Sequence, residues 1–104
     1  MSRLLVAGLT AVALALTGCE QRLSPSAERG RQVFLAQCVT CHGPDPAQAG
    51  PVGPAVKGSS RELLEAKVLR AAYPPGYTPK RSTKVMVPMP ALAGEIGALA
   101  DYLR

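Results

Sequence analysis

The chain carries a single histidine, His42, one phenylalanine, no tryptophan and only three cysteines in 104 residues. One imidazole excludes a histidine-rich metal site, and any Ser-His-Asp or Cys-His hydrolase would have to be built on His42 alone. Aromatic residues make up 4% of the chain. A domain this small exposes much of its surface, and with so few large side chains its core is thin and needs a disulfide, a metal or a cofactor to complete it. Acidic residues are scarce too, 7 against 12 basic, for a formal charge of +5. Hydrophobic content is an ordinary 47%, and 10 Gly with 10 Pro stay below the roughly 25–30% share that marks a low-complexity chain. The length allows one ordered, loop-rich domain.

The first segment reads as an address. Arg3 supplies a positive charge, residues 4–16 are an apolar run, and Thr17-Gly18 leads to Cys19. This is the layout of an export signal, and the run falls short of the roughly 20 apolar residues that span a bilayer. Leu16-Thr17-Gly18-Cys19 resembles the lipobox of bacterial lipoproteins, which implies cleavage before Cys19 and a diacylglycerol on its sulfur. On that reading residues 1–18 are a signal peptide, 19–25 a lipidated N-terminus with a short polar tether, and 26–104 the functional domain. Several acyl chains hold a protein stably at a membrane, so the expected location is extracytoplasmic and membrane-anchored. An ordinary signal peptide cut elsewhere, or an uncut anchor, fits the same layout.

The other two cysteines stand in Cys38-Val39-Thr40-Cys41-His42, the C-x-x-C-H signature of covalent haem attachment. Two intervening residues let both sulfurs reach the two vinyl groups on one porphyrin edge, and the next residue offers an imidazole to the iron. The competing readings are weaker. A thioredoxin-like C-x-x-C opens a helix within a βαβ unit, whereas here a helix pattern precedes Cys38 and a Gly-Pro-rich loop follows. A structural zinc site normally takes four ligands, and only Cys38, Cys41 and His42 are at hand. A plain Cys38–Cys41 disulfide is the remaining alternative.

With the export signal, a helix before the motif, Gly-Pro after it and Met89-Pro90 near the C-terminus, residues 26–104 resemble a small class I c-type cytochrome. The resemblance implies an all-α fold of about three helices wrapped with long Pro/Gly-rich loops around one haem c, attached through Cys38 and Cys41. It implies that His42 is one axial ligand, that the Pro54 carbonyl of Gly53-Pro54 accepts a hydrogen bond from it, and that Met89 is the other. With no second histidine the sixth position falls to Met89, Met86, a lysine or nothing, and the Met-Val-Pro-Met-Pro doublet keeps Met86 in contention. The resemblance also implies that the first and last helices cross at Gly30, Phe34 and Tyr102.

Patterning fills in the elements. Ser24-Pro25 is a helix start, with Ala27, Gly30, Phe34 and Cys38 on one face of a helix that runs to about Gln37. Four prolines in residues 43–58 predict a loop. Ser59 and Glu62 form a capping box for a second helix that stops before Pro74-Pro75, with Leu64, Val68, Ala71 and Ala72 inward and Arg61, Glu65 and Lys67 toward water. Residues 73–90, with five prolines, form a second long loop, and such loops usually have a task. Leu92, Ile96, Leu99, Ala100 and Leu103 predict a final helix, in which Gly94 and Gly97 make folding depend on docking or permit close approach.

The functional expectation is an electron carrier rather than an enzyme, since two protein ligands leave the iron no position for a substrate. Lys57, Arg61, Lys67, Lys80, Arg81 and Lys84 make the second half basic, either as a solvated face or to steer an acidic-surfaced redox partner. Neither nucleic acid nor a small-molecule substrate is expected. A cytochrome subunit of a larger oxidoreductase, or a haem sensor with an open sixth site, are the alternatives.

Overall fold

The computed structural model describes residues 22–104, so the export segment and Cys19 lie outside the described residues. Helix α1 (Pro25–Gln37) starts where the sequence predicts: the Ser24 hydroxyl accepts from the Ala27 N–H at 3.1 Å, and proline occupies the first turn. After a break at Cys38 a single turn, α2 (Val39–His42), carries the second cysteine and the histidine. Patterning alone did not find this turn. Helix α3 spans Arg61–Arg70 and α4 spans Ile96–Leu103, the latter preceded by a 3-10 helix over Pro90–Glu95. No strand occurs among the described residues, and the fold is the expected all-α one. No described helix is long and apolar enough to cross a membrane.

The crossing of α1 and α4 organises the domain. A Cβ at Gly30 would collide with the Ala98 carbonyl oxygen, with its carbon at 2.6 Å and with Tyr102 Cβ at 2.8 Å, so only glycine lets the two backbones meet. One turn on, the Phe34 and Tyr102 rings pack at 5.6 Å between centroids. The core around this contact is Val33, Phe34, Leu64, Val68, Ile96, Leu99 and Leu103. Outside it, Arg29 makes a paired bridge to Glu95 and Ser26 donates to Asp101 at 2.6 Å. Exposed pairs of this kind add little stability.

Three sequence expectations are corrected. The cap of α3 is Ser60, whose hydroxyl accepts from the Leu63 N–H at 3.1 Å, because the Ser59 hydroxyl already donates to the Val56 carbonyl and closes the preceding turn. Ala71 is exposed rather than inward, since α3 ends at Arg70 and Ala71 takes a left-handed conformation at its end. Lys67 is half-buried instead of water-facing, its ammonium 4.4 Å from the Tyr73 ring centre. Gly94 and Gly97 serve no close backbone approach: a Cβ at Gly94 meets nothing within 4 Å, and one at Gly97 meets only the Arg61 guanidinium. The final helix therefore depends on docking.

Candidate functional site

The two long loops and the ends of α1, α3 and α4 enclose one apolar cavity of about 320 Å³. Cys38, Cys41, His42, Pro54, Met86 and Met89 all line it, so residues predicted from separate stretches of sequence meet at one place. Met89 is brought there by the second loop, and Cys38, Cys41 and His42 by the break after α1 and the turn of α2.

The first loop is built to hold the imidazole. The Cys41 carbonyl accepts from the N–H groups of Val52 at 3.1 Å and Gly53 at 2.8 Å, which fixes the following residue beside His42. There the Pro54 carbonyl lies 2.8 Å from His42 Nδ1. A carbonyl only accepts, so Nδ1 carries a proton, and in the neutral ring Nε2 then has its lone pair for another partner. Gly53 is buried flat against the ring, where a Cβ would lie 2.5 Å from Cε1 and 2.6 Å from Nδ1. The ring is thus oriented by one hydrogen bond and held in its plane by a residue with no side chain.

The thiols are free, with Cys38 half-buried and Cys41 exposed. Burial, and to a smaller extent the neighbouring Cys41, pushes the Cys38 thiol up to about 11. A dithiol redox enzyme needs the opposite shift, so this environment does not suit thioredoxin-like exchange.

Met86 and Met89 both line the cavity, and both are half-buried. Their backbones differ. The Met89 N–H donates to the Val68 carbonyl at 2.6 Å and its own carbonyl accepts from Leu92 at 3.0 Å, which ties it to α3 and to the 3-10 helix. Met86 lies between Val85 and Val87, which are 62% and 73% exposed.

This donor set fits a covalently held haem. An oriented imidazole with a free Nε2, two cysteines beside it, thioethers within the same enclosure and walls of Phe34, Leu64, Val68, Leu99 and Leu103 match the needs of a flat apolar group with an iron at its centre. Four lining residues carried no sequence signal for this site: Tyr73, Tyr77, Lys67 and Val56. Tyr73 and Tyr77 stack at 5.5 Å in a proline-interrupted loop that has no periodicity to reveal a face. A family model described as Cytochrome c matches residues 27–104. No curated protein matches the chain.

Proposed function

The chain belongs to the cytochrome c family, and from that premise we propose that it is a membrane-anchored, extracytoplasmic carrier of single electrons with His42 and Met89 as axial ligands. Members of the family bind haem c covalently through cysteine, here Cys38 and Cys41, and serve electron transfer rather than catalysis. When bound, the haem supplies a ferric/ferrous couple that takes or gives one electron. The observation that carries the reading is the shared cavity: the imidazole aimed by Pro54 and two thioethers line one enclosure.

Met89 is favoured over Met86 because its backbone is tied on both sides, so its sulfur can be held in one place. The visible spectrum tests this. Met89→Ala loses the weak far-red band of methionine-bound ferric haem and its reduced form binds carbon monoxide, while Met86→Ala keeps the band and stays closed. The reverse pattern assigns Met86. A wild-type protein that already binds carbon monoxide overturns the closed carrier in favour of a sensor.

Anchoring through a lipid on Cys19 is supported by the layout of residues 1–19 alone. Pro25 begins the helix and Cys38 follows its last residue, so the tethered end and the cavity are about 20 Å apart along an axis rising 1.5 Å per residue.

The cavity is lined on its second-loop side by Lys80 and Arg81, together with the exposed Val85 and Val87. Lys80 also donates to the Ala55 carbonyl at 2.7 Å, joining the two loops. Basic groups around an apolar patch suit a redox partner with an acidic surface. Oxidation by ferricyanide, an anion, is therefore expected to slow several-fold as ionic strength rises from a tenth of physiological to physiological, since the Debye length falls to about 8 Å. A rate indifferent to salt would leave these charges as a solvated face. A permanent place in a larger oxidoreductase is the second reading, favoured by the exposed Val85 and Val87.

A further inference from the structure

Lys67 is held at the cavity wall by aromatic rings. It sits on α3 between the buried Ala66 and Val68, and its ammonium lies 4.4 Å from the Tyr73 ring centre. Tyr73 stacks on Tyr77 with centroids 5.5 Å apart and planes 15° from parallel, and all three residues line the cavity. A lysine ordinarily carries its ammonium out to water on a flexible stem. Among the described residues no carboxylate pairs with Lys67, so its charge has no counter-ion in the wall and rests on the negative face of the tyrosine.

We infer that Lys67, positioned by the Tyr73–Tyr77 stack, is a fixed positive charge that raises the reduction potential of this protein. The inference rests on the cavity being the haem site. In the step concerned, one electron passes from a donor, which is oxidised, to iron, which goes from ferric to ferrous, and no bond forms or breaks. The oxidised site carries one more positive charge than the reduced one, so an uncompensated cation at the wall disfavours oxidation. Tyr73 acts through Lys67 and is a positioning residue.

A redox titration of the haem-loaded full chain at low ionic strength tests this with four variants. Lys67→Gln is expected to lower the equilibrium constant for reduction about three- to tenfold, the effect of one charge over roughly 10 Å at an effective dielectric constant of about 25–50, between the values for protein and for bulk water. Lys67→Arg keeps the charge and stays within about twofold of wild type by the same law. Tyr73→Phe keeps the aromatic face and the potential, while Tyr73→Leu frees the ammonium and moves the potential toward that of Lys67→Gln. Equal potentials for Lys67→Gln and wild type overturn the inference, as does an equal shift in Lys67→Gln and Lys67→Arg, which would reflect packing instead of charge. Should Lys67→Gln fail to hold haem, the two Tyr73 variants decide by themselves: identical potentials overturn it, a drop in Tyr73→Leu alone supports it. A wild-type chain with no c-type spectrum would instead sink the haem reading, before any variant is compared.

Discussion

A Cys38→Ala/Cys41→Ala chain, expressed where haem attachment operates, is expected to lose most of its helical circular dichroism and its cooperative melting. The reason lies in what forms the core. Only Phe34 and Leu99 are large side chains with essentially no exposure among the described residues, and both also face the cavity, with Leu64, Val68 and Leu103 beside them. Without a group covalently fixed there, these residues surround about 320 Å³ of apolar space. Left facing water, these walls lose the burial that a covalently fixed group supplies, at roughly 25 cal/mol per Å² of apolar surface, in a domain whose whole stability is about 5–15 kcal/mol. Short helices such as α3 and α4 do not persist in water without packing. Native helix content in the double variant would show that the helices pack independently of the haem.

Gly30→Ala is the second large effect. Alanine favours a helix interior by about 1 kcal/mol over glycine, and at an open helical site the substitution stabilises. Here the new methyl would enter the Ala98 backbone of α4 and approach Tyr102 Cβ, which sits at 2.8 Å from the Cβ position. A backbone carbonyl cannot swing aside, so α1 and α4 must separate and loosen the Phe34–Tyr102 contact. The net loss is expected to be about 3 kcal/mol, or roughly 10–20 °C in the thermal midpoint of the haem-loaded protein. Gly94→Ala is the matched control: nothing lies within 4 Å of its Cβ, so stability is unchanged or rises. If the two variants melt together, the crossing of α1 and α4 is looser than its geometry.

Features that depend on neighbours along the chain were legible. Ser24-Pro25 starts α1 because capping is a contact between residues three apart, and the C-x-x-C-H run shows its chemistry because thiols and imidazole must lie on adjacent residues. The pattern puts the cap of α3 at Ser59, one residue before the observed Ser60, since only the loop fold assigns the Ser59 hydroxyl to Val56. Spacing puts Lys67 on the solvated face for a related reason. Helical spacing tells which way a Cα–Cβ bond points, while a long side chain bends toward whatever the next loop brings, here Tyr73.

Composition by itself pointed to a thin core that a disulfide, a metal or a cofactor completes, and the C-x-x-C-H motif pointed to haem c with Cys38, Cys41 and His42 as the residues suited to hold it. Local spacing and side-chain chemistry suffice for such statements. Tertiary structure alone decided that Met86 and Met89 both reach the cavity of His42, that Met89 is the one tied to Val68, and that a lysine and two tyrosines complete the wall. Those facts depend on how two proline-rich loops close over the helices, and proline fixes only the local backbone of a loop, not its destination.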